Sequence, residues 1–212
     1  MDTPIESKSQ GRELTTTSYG VLSVLSLGEH SSYELARQMK MSLHYFWPRA
    51  ESNVYAESKR LVAAGLAATR TEWNGGRKRT VYSITDPGRA ALVEWLAEGS
   101  SPQRYETEAL LKVFFAENGT RDDLLRAIRE LRDEARTAIA HFQRIADVYA
   151  RGDGAYPDRF ALSAITARLL IEQQAATVRW ATWAERNIAA WDSACGRDAA
   201  WGVRALRGAH PT

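Results

Sequence analysis

The sequence predicts a mainly α-helical protein in two parts: a compact N-terminal unit with one β-hairpin, and an all-α unit with long, coiled-coil-like helices. Three observations predict this fold class. Apolar residues recur at helical spacing up to residue 65, alternate with polar ones over residues 66–85, and return to helical spacing in the segments after Asp86. With 212 residues, 44% of them hydrophobic, the chain can bury a real core and fits one large domain or two small ones.

The N-terminal residues 1–14 are polar and aperiodic, which predicts a flexible arm. The apolar segment from Ser18 to Gly28 predicts a short buried helix that ends at the glycine. Ser31 precedes Glu34 by three residues, which is the spacing of a capping box. A second short helix is therefore expected to begin there.

A third helix is predicted to end at Gly65, and its start is open between Pro48 in the first turn and Ser52 as the cap. The two strand-like segments that follow are joined by Asn74-Gly75-Gly76, which are residues that tight hairpin turns prefer. After the second strand, Asp86 as the N-cap and the proline behind it start a fourth helix. The order helix, helix, helix, two-stranded wing, helix is that of a winged helix-turn-helix.

The second half begins after the turn-forming segment Gly99–Pro102, the clearest domain boundary in the sequence. A short helix is expected from Thr107 to Glu117, and a long one follows Thr120. Apolar residues on the long helix alternate steps of four and three, a heptad seam typical of a coiled coil or long helical hairpin. A last long helix covers about residues 160–191. The sequence thus predicts a flexible arm at residues 1–14 and a winged helix-turn-helix domain at residues 15–99. It predicts a helical dimerisation domain at residues 104–195 and a C-terminal tail at residues 196–212.

Composition excludes several classes of protein. The net charge is +2, so any nucleic-acid footprint must be local. The single cysteine, Cys195, excludes a disulfide framework and a Cys-rich zinc site, and no histidine spacing suggests a metal. No secretion signal and no membrane-spanning run is found, so we expect a cytoplasmic protein without a membrane partner. Phosphate-loop, dinucleotide and hydrolase motifs are lacking, so we expect neither an enzyme nor a cofactor.

The predicted elements suit DNA, because a helix fits the major groove and a basic hairpin reaches the backbone beside it. Asn53 can pair with adenine, and Tyr55 can bond a phosphate or contact a thymine methyl. The hairpin carries the basic run Arg77-Lys78-Arg79, which counterion release would reward on DNA. A helix cap, a half-buried aromatic and a solvated hairpin tip are the simpler interpretations of these three features. The candidate DNA-binding residues are Tyr19, Ser32, Tyr33, Arg49, Ser52, Asn53, Tyr55, Lys59, Arg77, Lys78 and Arg79.

A series of motifs resembles the PadR family of transcription regulators, in its larger subfamily with a long helical C-terminal domain. The resemblance implies a homodimer that binds an inverted-repeat operator and usually represses, with Tyr55 and the wing contacting DNA. The family usually has glycine in place of Ser32 and leucine in place of Ser58, whose hydroxyl needs a backbone partner if it is buried. The motifs are Thr17–Leu22, Ser32–Leu35, Ser52–Glu57, Lys59–Leu61, Gly65-Leu66, Tyr82–Thr85, Gly88-Arg89 and Leu110–Phe115.

The second half is expected to pair two copies of the chain. Predicted interface residues are Leu124, Ile128, Leu131, Phe142, Ile145, Leu162, Ile165, Leu169, Trp180 and Trp183. A cavity lined by Trp95, Trp180 and Trp183 could bind a small aromatic effector by stacking, although plain dimer core is the favoured interpretation of these tryptophans.

One alternative function is a winged-helix adaptor that binds other proteins and has no specific affinity for DNA, because fold alone does not fix function. An adaptor has no need of the basic hairpin, so the wing discriminates between the two hypotheses.

Overall fold

The computed structural model describes residues 14–74, 76–103, 105–195 and 198–208. The chain divides into two compact units, residues 1–102 and 103–212. The mainly α-helical class with a small sheet in the first unit is confirmed. Within the described ranges, no helix is both long enough and apolar enough to cross a membrane.

The described residues of the first unit form four helices and a three-stranded sheet. Its elements in chain order are α1 (Thr16–Leu25), β1 (His30–Ser31), α2 (Ser32–Leu43), α3 (Glu51–Ala63), β2 (Ala67–Asn74), β3 (Arg77–Ile84) and α4 (Asp86–Ala97). Strands pair antiparallel in the order β1-β3-β2, and β2 with β3 forms the predicted hairpin, which we call the wing. The strand β1 adds a third member to a sheet predicted to have two.

The helix ends follow local side-chain chemistry. The predicted capping box is confirmed: the Ser31 hydroxyl accepts from the Glu34 amide, and the Glu34 carboxylate accepts from the Ser31 amide. Both predicted starts of α3 are wrong, because the helix begins at Glu51 behind an Ala50 N-cap that makes no side-chain bond. The fourth helix is capped by Thr85, one residue before the predicted Asp86.

The core of the first unit lies between α1, α2, α3 and the sheet. Val21, Leu22, Leu35 and Leu61 are fully buried there. Ser58 is also buried, and its hydroxyl donates to the Val54 carbonyl at 2.8 Å, so the backbone partner that its burial requires is present.

All the secondary structure in the described residues of the second unit is helical. It contains α5 (Glu108–Phe114), α6 (Arg121–Ala150), α7 (Phe160–Ile188) and α8 (Ala199–Arg207), with short 3₁₀ turns at Ala116–Asn118 and Pro157–Arg159. The Thr120 hydroxyl caps α6 and the Asp198 carboxylate caps α8. Within the predicted C-terminal tail, residues 199–207 form the helix α8.

The two long helices α6 and α7 pack against each other, and this pairing corrects two interface predictions. Leu124 and Ile128 are buried against Ala181, Ala184 and Ile188 of the same chain. Leu124 and Ile128 therefore belong to the core of this unit. The heptad pattern had predicted them at the dimer interface. Leu131, Phe142 and Ile145 further along α6 are half-buried.

Candidate nucleic-acid interface

The polar face of α3 is open to solvent. Val54 and Leu61 point into the core, and the opposite face exposes Ser52, Asn53 and Lys59. These three side chains offer hydroxyl, amide and ammonium groups, which hydrogen-bond to base edges or phosphates. Tyr55 is half-buried and packs against the core, so its ring supports α3 from one side.

A polar network anchors α3 to α1. Ser18 is fully buried, and its hydroxyl donates to a carboxylate oxygen of Glu57 and accepts from Arg60 Nη2 at 2.7 Å. Arg60 also contacts Glu57 directly at 2.6 Å. Because Ser18 closes the capping box of α1 with Thr15, the same hydroxyl links the start of α1 to the middle of α3. Hydrogen bonds to charged groups are among the stronger ones in proteins.

Other predicted contact residues lie in different surroundings. At the start of α2, Tyr33 is 67% exposed and Ser32 is half-buried. Arg49, in the loop before α3, stacks its guanidinium 4.1 Å from the centre of the Trp47 ring and donates to the Pro48 carbonyl. One face of the Tyr19 ring is stacked on Trp95, with centroids 4.7 Å apart, which gives Tyr19 a packing role.

The wing differs from the predicted free basic cluster. Arg79 donates from Nε and Nη2 to one oxygen of Glu72, at 2.9 and 2.7 Å, and also meets Glu34 at 3.4 Å. Arg70 contacts Glu29 at 2.5 Å and bonds Glu72 as well. Two of the carboxylates come from outside the hairpin, a feature that strand alternation does not reveal. The side chain of Arg77 lies outside the described residues.

The ion pairs of this network shift carboxylate titration. The hydrogen bonds from Arg79 and then Arg70 lower the pKa of Glu72 below its ordinary value. The pKa of Glu34 is lowered mainly by its hydrogen bonds within the capping box of Ser31, with a smaller contribution from Arg79. Both carboxylates are thus ionised at neutral pH and keep their arginine partners.

Sequence reasoning missed one residue on the wing. Trp73 is 72% exposed, and its cross-strand neighbour is Lys78, which is also exposed. The signal that could have found it is the strand register: counting back from the turn puts Trp73 and Lys78 opposite each other near the tip.

The tryptophans of the predicted effector site fall into different surroundings. Trp95 stacks on Tyr19 in the first unit. In the second unit, Trp180 packs against the helical core, while Trp183 stacks on Trp201, with centroids 6.1 Å apart. The stacking of Trp183 on Trp201 was not predicted from the sequence. The grouping of Trp95 with Trp180 and Trp183 in one effector site stays a prediction. Across the described residues, no cluster of side chains suits a metal ion.

This arrangement defines a winged helix-turn-helix protein with a helical second unit, and known protein families are similar to each part of the chain. The sequence model of the transcriptional regulator PadR-like family matches residues 21–94, and that of the virulence activator alpha C-terminal domain matches residues 107–189. Over residues 21–94 the chain is thus similar to the PadR-like family of transcriptional regulators.

Individual curated relatives are similar over part of the chain. The negative transcriptional regulator PadR of Bacillus subtilis is 32% identical over 99 residues, which cover 46% of this chain and 54% of the relative. The matches to curated relatives thus span only about half of their length.

Solved structures extend the likeness to most of the chain. The crystal structure of Bacillus subtilis PadR with operator DNA has a TM-score of 0.68 at 22% identity and covers 82% of this chain and 99% of that one. The same protein with p-coumaric acid gives 0.60 at 20% identity, covering 82% and 99%. The Vibrio cholerae virulence activator AphA gives 0.62 at 27% identity, covering 82% and 98%.

Proposed function

We propose that this chain is a transcription repressor that binds an inverted-repeat operator in duplex DNA as a homodimer. The observation that carries the proposal is the open polar face of α3, where Ser52, Asn53 and Lys59 are exposed on a helix anchored from behind by Ser18. A helix in this position of the fold fits the major groove, and Asn53 can recognise adenine there. The solved operator complex of the Bacillus subtilis relative supports the choice of DNA as the partner.

An apolar stripe on α7 supports the homodimer. Leu162, Ile165 and Leu169 follow each other at helical steps of three and four and are 64%, 70% and 59% exposed. Contiguous apolar side chains of this kind are covered in stable proteins, and a twofold partner can cover them with its own copy. A dimer of this kind would fit an inverted-repeat operator, because twofold symmetry in the protein matches twofold symmetry in the DNA.

Release by a small planar aromatic anion is the third part of the proposal. Trp191 and Trp201 line a groove of about 300 Å³ at the end of α7, together with Arg186, Arg204 and Asp198, whose carboxylate accepts from the Trp201 amide. Indole rings stack on flat ligands, and guanidinium groups pair with carboxylates. The complex of the Bacillus subtilis protein with p-coumaric acid makes this ligand class a reasonable probe.

The test is a gel-shift titration of the full chain on the duplex upstream of its own coding region. The proposal expects specific affinity at least about a thousandfold above that for random duplex at moderate salt. Asn53→Ala should reduce the specific affinity more than the affinity for random duplex, since it removes a base contact. Equal affinity for both duplexes would overturn the proposal and favour a winged-helix adaptor.

A further inference from the structure

We infer that the wing meets DNA through the face that carries Trp73 and Lys78, whereas Arg70 and Arg79 on the opposite face hold the hairpin in place. The inference deepens the proposed DNA-binding function and depends on it. It assigns the phosphate contact of the wing to one lysine and adds an aromatic contact residue that the basic run does not contain.

The strand register separates the two faces. In the antiparallel pair β2–β3, Glu72 lies opposite Arg79, and Trp73 lies opposite Lys78. Neighbouring residues of a strand point to opposite faces, and residues directly opposite across an antiparallel pair share a face. Arg79 and Lys78 are therefore presented on different sides of the hairpin, although they are adjacent in the sequence.

The positive charges on the arginine face are neutralised by carboxylates. Its two guanidinium groups, from Arg70 and Arg79, meet three carboxylates, from Glu29, Glu34 and Glu72. Glu72 accepts from both arginines, and its side chain is three-quarters buried. A phosphate that approached this face would have to displace a carboxylate from each arginine. The counterion release that favours free cations on DNA is thus largely cancelled here.

The same ion pairs connect the hairpin to the body of the unit. Glu29 stands just before β1, and Glu34 lies in the first turn of α2. Arg70 and Arg79 reach these residues from the two wing strands. The arginines consequently restrain the direction in which the wing projects, which makes them positioning residues for the opposite face.

The opposite face has the groups that a duplex recognises. Lys78 is exposed, and no ion pair joins it to any other residue in the described ranges, so its ammonium is available to a phosphate. The largely exposed indole of Trp73 beside it offers an apolar surface and one N–H donor. Apolar wedges of this kind contact sugars and base steps in the minor groove, and the N–H can donate to the acceptors on its floor.

Salt-dependent binding distinguishes the two faces. Affinity for the operator duplex is measured by fluorescence anisotropy over a salt series for the full chain and its variants. Lys78→Ala should make the slope of log K against log salt shallower by about 0.9 for each lost phosphate contact, or about 1.8 in a dimer. Trp73→Ala should weaken binding about tenfold with the slope unchanged, and Trp73→Phe should recover part of the loss.

Arg79→Gln is the matched control. Arg79 is the neighbour of Lys78 on the same strand, and its side chain points to the opposite face of the hairpin. It should leave the salt slope unchanged and should speed hydrogen exchange in β2 and β3, because the hairpin loses its restraint. A shallower slope for Arg79→Gln together with wild-type binding by Trp73→Ala and Lys78→Ala would overturn the inference. The proposed function itself fails only if the unaltered chain has no preference for the operator duplex.

Discussion

Replacing Ser18 with alanine removes one hydroxyl from the network that joins α1 to α3. That hydroxyl donates to Glu57, accepts from Arg60 and closes the capping box with the Thr15 amide. A hydrogen bond to a charged group contributes about 1.5–3 kcal/mol, and loss of a cap costs about 0.5–2 kcal/mol. Because the contributions share one atom and are not additive, we expect a combined loss of about 2–3 kcal/mol.

Ser58→Ala is the matched control, because Ser58 is just as buried but donates only to the Val54 carbonyl of its own helix. That carbonyl keeps its ordinary helical bond when the hydroxyl is lost, so the cost should stay below about 1 kcal/mol. Native-state hydrogen exchange of α1 and α3, with α6 as an internal reference, measures the local free energies. Equal losses for Ser18→Ala and Ser58→Ala would refute the assigned role of the network.

Three further perturbations follow from the structure. Gly88→Ala places a Cβ 2.0 Å from the Leu66 carbonyl oxygen, so the first unit should lose at least about 1–3 kcal/mol in urea unfolding. Ile165→Glu should convert a dimer to monomers in sedimentation velocity, because a charge would enter the apolar stripe. Asp123 has a lowered pKa from hydrogen bonds with Thr120, so its stabilisation of α6 is present above its ordinary pKa of 3.8 and lost as pH falls through the lowered value. Asp123→Asn should flatten that acid limb in circular dichroism.

The first two of these variants have matched controls, and the third has an outcome that would contradict it. Gly99→Ala meets no atom within 4 Å and should leave unfolding unchanged. Leu206→Glu alters an apolar residue on α8 that is 80% exposed, and it should leave the sedimentation coefficient unchanged. For the acid limb, an unaltered profile in Asp123→Asn would contradict the capping account.

Local rules predicted much of the fold. Capping boxes, turn residues and apolar periodicity depend on neighbours within four residues, so Ser31, Thr120 and the hairpin turn were identifiable from the sequence. The short strand β1 was not, because its two residues, His30 and Ser31, adopt strand geometry only by pairing with β3. Pairing of this kind depends on tertiary context more than on intrinsic preference.

The candidate site was predicted in part for the same reason. The exposed face of α3 follows from the spacing of its buried residues. The pairing of the wing arginines with carboxylates does not follow from local spacing, since Glu29 and Arg70 are 41 residues apart in the chain. The heptad seam correctly indicated long paired helices, but periodicity alone does not tell whether Ile128 faces its own chain or another copy.

Site-directed cleavage of DNA from α3 tests the central claim most directly. A Cys195→Ala chain carrying Lys59→Cys is labelled with an iron chelate that cuts the nearest backbone, and the cuts are mapped on the operator duplex. The account predicts two clusters of cuts related by a twofold axis and centred about 10–10.5 base pairs apart, or a multiple of that distance. Cuts spread evenly along the duplex, or no cuts from a chain that still binds, would contradict it.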